Sequence, residues 1–291
     1  MKSVGLLLGV LLVSMCSLSA QVTVEVVLDQ DQFLPAELLV ATVRITNRSG
    51  QTLALGQTPD WLTFSVGARE GFVVSKGDEV PVTGEFVLES SKVATKRVNL
   101  APHFSLTKPG RYSVTASVRI QQWDREFSSQ PKSFDIIHGI KLWEQDFGVP
   151  QPAGTGTTSP EVRKYALQQA NYLKELKLYV RLTDAAETQV YRVFPLGALV
   201  SFGRPEPQVD KEGNLHVLFQ TGARSFSYCV INPEGQMIVQ QTHDYTSTRP
   251  RLQVDAAGKF TVTGGARRVT ADDLPPRPTA TPTNDVKTPT L

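Results

Sequence analysis

The chain has 291 residues, 40% of them hydrophobic and 20% charged, with a formal net charge of +2 and two cysteines. So small a charge excludes the pronounced basic face that nucleic-acid binding demands, and two cysteines exclude a disulfide-stapled scaffold. The four histidines, at 103, 138, 216 and 243, show no metal-ligand spacing, so neither a metal nor a cofactor is expected.

Residues 1–20 have the anatomy of a secretory signal peptide. Lys2 supplies the positive start, Val4 to Val13 is apolar apart from two glycines, and Ser17-Leu-Ser-Ala20 leads to a cleavage point after Ala20. That apolar run is shorter than the roughly 20 residues that span a bilayer, and no later stretch approaches it. Lipidation at Cys16 is disfavoured because Met15 stands where a small residue is needed. The expectation is an exported protein, periplasmic or extracellular, with no transmembrane segment after cleavage. Cys229 would then be alone. Its sharp reading is a nucleophile assisted by His216 or His243. Its plain reading, preferred because Phe226-Ser-Tyr-Cys-Val-Ile231 is an apolar strand-like run, is a small buried hydrophobe.

From Gln21 to about Pro150 the apolar pattern has period two, the mark of strands with one buried face. Val22, Val24, Val26 and Leu28 share a face; so do Leu39, Ala41, Val43 and Ile45, and so do Tyr112, Val114, Ala116, Val118 and Ile120. Asn47-Arg-Ser-Gly50, Lys76-Gly-Asp78 and Lys108-Pro-Gly110 supply turns between them. Short strands and frequent turns give a β-sandwich. Asp29, Asp31 and Glu37 are carboxylates of the kind Ca²⁺ takes, but their spacing suits a turn better. Trp61 and Trp123 suit core packing better than a sugar platform.

Gln151-Pro-Ala-Gly-Thr-Gly-Thr-Thr-Ser-Pro160 reads as an interdomain linker, putting a second domain at 162–270. Residues 162–176 carry both helix-capping and strand signals; the repeat that follows tips them toward a strand. Pro205-Glu-Pro-Gln-Val-Asp-Lys-Glu-Gly-Asn-Leu-His-Val217 returns 45 residues later as Pro250-Arg-Leu-Gln-Val-Asp-Ala-Ala-Gly-Lys-Phe-Thr-Val262. A weaker copy lies 37 residues upstream, aligning Lys177-Leu-Tyr-Val180 with Asn214-Leu-His-Val217. Strand, Asp-x-x-Gly turn, strand is the grammar of a propeller blade, although a closed ring needs at least four blades. Asp210 and Asp255 are read as turn residues, with Gly213 and Gly258 at positive φ. Residues 271–291, rich in proline and threonine, are expected to be a disordered tail.

The stretch Leu106-Thr-Lys-Pro-Gly-Arg-Tyr112 resembles the tyrosine-corner entry to a central strand of immunoglobulin-like and fibronectin-type domains. With the repeats, the chain resembles secreted bacterial proteins that join an immunoglobulin-like domain to propeller-like repeats. The fold expected is therefore all-β: an immunoglobulin-like sandwich followed by a small repeat-built β domain, partly propeller-like. No Gly-x-Ser-x-Gly elbow, His-Glu-x-x-His, phosphate loop or dinucleotide fingerprint occurs. The function expected is a non-enzymatic binding or structural module of the cell envelope, a monomer, with an envelope protein or polysaccharide as partner. Gly222-Ala-Arg224 and Gly265-Ala-Arg267 place two guanidiniums at matching repeat positions, so Arg224, Arg267 and His216 form the expected ligand surface. A secreted proteinase inhibitor is the alternative, since Val43 to Gly50 with the Pro-Gly-Arg-Tyr turn is similar to small sandwich inhibitors of bacterial proteinases. A carbohydrate-active enzyme on the repeat domain ranks third.

Overall fold

The computed structural model describes residues 22–69, 71, 73–149, 161–256 and 258–275. The expected signal peptide and residues 276–291 of the expected tail lie outside these residues; the start of that tail, 271–275, is instead ordered, with Leu274 exchanging backbone bonds with Gln240. The described chain is all-β, with one 3₁₀ turn at Gln121–Trp123 and no α-helix. It divides into two compact units, Met1–Ile136 and Ile137–Leu291.

In the first unit the period-two segments become β1 (Val22–Leu28), β2 (Gln32–Phe33), β3 (Val40–Asn47), β4 (Leu53–Leu55), β5 (Leu62–Ala68), β6 (Phe86–Leu88), β7 (Val93–Asn99), β8 (Gly110–Ile120), β9 (Arg125–Ser128) and β10 (Lys132–Ile136). One sheet runs β1-β3-β7, another β2-β10-β8-β5 with β9 also on β8, and β4 pairs β6. The inward residues of β1, β3 and β8 meet in a single core, where Ala41, Val43, Ile45, Val114, Ala116 and Val118 are fully buried. Trp61 belongs to that core, its Nε1 donating to Val82 O at 2.8 Å. Trp123 packs against the core edge with its ring across Phe127. The Tyr112 hydroxyl donates to Lys108 O at 2.6 Å, closing the corner anticipated from the sequence.

The second unit holds β11 (Ile140–Gly148), β12 (Val162–Tyr172), β13 (Glu175–Asp184), β14 (Val190–Ala198), β15 (Glu206–Val209), β16 (Leu215–Gln220), β17 (Ser225–Ile231), β18 (Met237–Asp244), β19 (Arg251–Val254), β20 (Phe260–Thr263) and β21 (Ala266–Arg268). Two placements expected from sequence change here. The unit begins near Ile137 rather than after Pro150, because β11 pairs along its length with β12. The run expected as an interdomain linker thus falls between two paired strands of one unit and itself lies outside the described residues: Gly148 faces Val162, and Val149 N–H donates to Glu161 O at 2.8 Å. Residues 162–172 are a strand.

This unit is layered. A four-stranded meander, β11-β12-β13-β14, faces the sheet β15-β16-β17-β18-β21, and the hairpin β19-β20 covers that sheet's other side. Leu215, Val217, Phe219, Cys229 and Ile231 point to the meander; Leu218, Phe226, Tyr228 and Val230 point to the hairpin. A layer covered on both faces needs apolar residues at every position rather than at alternate ones, which is why β16 is buried throughout. The repeat maps β15–β16 onto β19–β20, and its third strand then diverges. β17 stays beside β16, whereas β21 leaves its own hairpin and pairs β18. Gly264 and Gly265 make that departure at φ +73° and +62°; a Cβ on either would sit 2.5 Å from a backbone oxygen.

Candidate functional site

Of the three residues expected to form a ligand surface, Arg224 and Arg267 are exposed and His216 is not. His216 is buried in the second unit's outer cluster. Its Nδ1 lies 2.7 Å from the Tyr228 hydroxyl, its Nε2 lies 2.9 Å from Asp210 Oδ2, and its ring stacks on Phe260 at 4.5 Å. The other Asp210 oxygen accepts from Asn214 N–H at 2.7 Å. Burial tends to raise the Asp210 carboxyl, but the His216 and Asn214 bonds prevail and hold it below its ordinary value. Burial pushes the Tyr228 hydroxyl up to about 12. This is a closed polar cluster that locks a turn against the layer above it. Arg224 donates to Tyr245 O at 2.9 and 3.0 Å. Arg267 pairs with Asp273 at 2.7 Å and donates to Thr242 O. Both guanidiniums therefore serve as cross-strand ties.

Cys229 is fully buried, and its thiol is pushed up to about 11 by burial. A thiol held there is protonated at neutral pH and is a poor nucleophile. The carboxylates weighed for Ca²⁺ go separate ways. Asp29 pairs with Arg97 at 2.9 Å, Asp31 pairs with Lys132 at 3.0 Å, and buried Glu37 accepts from Leu34 N–H.

The surface feature with the makings of a site lies elsewhere in the second unit. An open groove of about 650 Å³ occupies one end of the space between its two large sheets. Its walls come from β11, β12 and the β14–β15 connection, with Lys141, Leu142, Trp143, Gln169, Phe202 and Arg204 among the lining residues. The connection crosses from one sheet to the other and is pinned to both. Leu199 N–H donates to Leu176 O on β13, and Val200 N–H donates to Gln220 O on β16. Gly203 N–H then closes a turn onto Val200 O at 2.8 Å. This turn carries Phe202 at its tip, 78% exposed. A Cβ on Gly203 would approach Val200 O to 3.2 Å, so the turn favours glycine there.

The opposite wall is shaped by a bulge. Lys141 faces Gln168 and Trp143 faces Leu167, leaving Leu142 as the extra residue. A bulge breaks strict alternation, and here three successive side chains, Lys141, Leu142 and Trp143, line the groove. Lys141 is tied to Glu144 at 2.7 Å, and that bond raises its ammonium above the ordinary value. Arg204 makes no hydrogen bond or ion pair among the described residues, and the Gln169 amide and Ser201 hydroxyl make none either. Sequence reasoning passed over these residues because they are far apart and carry no motif. The available signal was an aromatic-glycine pair, Phe202-Gly203, between a serine and an arginine, in a segment with no strand alternation.

No family model matches the chain, and no curated protein matches it in sequence. Among solved structures, the crystal structure of Spo0M, the sporulation control protein from Bacillus subtilis, is similar at 12% identity and a TM-score of 0.31. That match covers 60% of this chain and 91% of Spo0M, and at such a score it carries no functional argument.

Proposed function

We propose that the protein is an exported, non-enzymatic binding module of the cell envelope whose second unit receives a ligand in the groove beneath Phe202. The observation that carries this is the fixed display of Phe202. A large aromatic ring 78% exposed at the tip of a doubly pinned turn forgoes the burial that would stabilise it by about 2 kcal/mol. Rigid, exposed aromatics over a concavity are what binding surfaces use as anchors. The burial of His216 and Cys229 adds support, because it leaves the groups considered for chemistry engaged in packing.

The first unit acts in this reading as a spacer or docking element. Export rests on the signal-peptide pattern of residues 1–20. Two measurements check the proposal. N-terminal sequencing should find the mature chain starting near Gln21 in an exported fraction; recovery of Met1 from cytosol overturns export. Wild-type protein should bind members of a combined glycan and peptide array, and Phe202→Ala should lose that binding with unchanged melting. Equal binding by the variant overturns the groove as the site.

A further inference from the structure

We infer that the groove takes an acidic saccharide, a sugar unit bearing a carboxylate, with Arg204 as the residue that selects the acid; this rests on the groove being the binding site. The lining mixes two kinds of surface. Phe202 offers an exposed ring and Trp143, half-buried against the core, lines the wall, while Gln169 and Ser201 contribute an amide and a hydroxyl that are unengaged among the described residues. A pyranose has the matching duality, an apolar C–H face and a rim of hydroxyls. Arg204 adds a guanidinium with no protein partner among the described residues, beside a Lys141 already neutralised by Glu144 and Glu187. One uncommitted planar cation suits one carboxylate, which it can meet through two parallel hydrogen bonds.

The competing occupants fit less well. An extended peptide would add to a sheet edge through regular backbone hydrogen bonds. Two edges border the groove: β11, which is bulged at Leu142 where the groove lies, and β15, where Pro207 has no N–H to offer a partner strand. A neutral sugar would leave Arg204 without a counter-charge. A polyanion such as nucleic acid asks for many cations in a row, and here one is uncommitted.

Calorimetry with the full mature chain tests this. The probes are trisaccharides of galacturonate, glucuronate and mannuronate, each beside its methyl ester, together with an acidic peptide and a peptide of residues 276–291. The expected result is that at least one uronate binds about ten-fold more tightly than its ester, weakening as salt rises. Arg204→Gln should erase the acid–ester difference while leaving ester binding in place. Phe202→Ala should weaken both, and both variants should melt like wild type because their side chains are exposed. Equal affinity for acid and ester, a preference unmoved by Arg204→Gln, or tighter binding of either peptide overturns the acidic-saccharide assignment while leaving the groove a binding site. Failure of every probe, together with no array hit, overturns the groove itself.

Discussion

The two good copies of the repeat share a backbone and differ in surroundings. In both, the aspartate N–H donates across the turn, at 3.0 Å to Asn214 O and to Lys259 O, and the glycine four positions into the motif closes back on the aspartate carbonyl. Gly213 and Gly258 take φ of +79° and +83°. The aspartate side chain accepts from the same following amide, at 2.7 and 2.9 Å. Yet Asp210 reaches on to His216 and a buried tyrosine, while Asp255 sits exposed with Thr261 at the histidine's place. Val209 packs in a core and Val254 is half exposed. A local motif determines its turn; the layer it lands in determines whether its side chains become core. Phe260 of the outer copy closes the cluster of the inner one by stacking on His216.

Breaking that comparison gives the largest expected effect. Asp210→Ala strands the His216 Nε2 atom inside the layer and should cost the second unit about 3 kcal/mol. Asp255→Ala, at an exposed turn, should cost about 0.5 kcal/mol. Urea unfolding followed by Trp143, the tryptophan of the second unit, separates the two; equal losses would dissolve the distinction. Cys229→Ala should cost about 2 kcal/mol by leaving a small void beneath the meander. Thiol reagent should label wild-type protein only after unfolding.

Smaller effects sharpen a second contrast, between the units. Tyr165 donates to Asn232 O at 2.7 Å and lies within reach of Gly213 O and Ile231 O, tying the meander to two turns of the next sheet. Tyr165→Phe should therefore lose about 1.5 kcal/mol, and Tyr112→Phe, which breaks one bond within a single loop, about 1 kcal/mol. Chemical denaturation with a separate probe in each unit measures both.

Acid supplies the smallest and most selective change. His243 is buried, and desolvation, then the neighbouring Arg267, hold its pKa below 6.5. The unfolded state binds that proton first, so stability falls as pH drops from about 6.5 through the lower folded value. Asp210, held below 3.8 in the fold, removes its contribution later, as pH falls through that lower range. His243→Gln should flatten the slope between pH 7 and 5 and leave the steeper acid limb intact. An unchanged slope would remove His243 as the cause.

The strands, the tyrosine corner and the Asp-x-x-Gly turns were legible because each depends on neighbours within a few residues: alternation for β8, Lys108 beside Tyr112, Gly213 beside Asp210. The unit boundary was misplaced because a Gly/Thr/Pro run is equally suited to link two units or two strands, and only the pairing of β11 with β12 decides. Arg224 and Arg267 looked equivalent because their triplets repeat, but β17 pairs the strand before it, β16, whereas β21 leaves β20 and pairs β18, which no local pattern records. The groove was invisible for a related reason. It exists where a bulge, a crossing turn and an unmatched arginine converge from β11, β12 and residues 201–207.

The departure of β21 from its own hairpin has a mechanical meaning. The outer hairpin is held on its far side by a strand that belongs to the layer beneath, as a strap sewn through two plies holds both. Beyond it, Leu274 makes reciprocal backbone bonds with Gln240 at 3.0 and 3.1 Å, so the chain is stitched to β18 twice. Tension applied at the C-terminal end would load the middle ply of the stack, through β18, before it could lift the outer hairpin. A tether attached there would pull on β18, which pairs the buried strand β17, rather than directly on the outer hairpin.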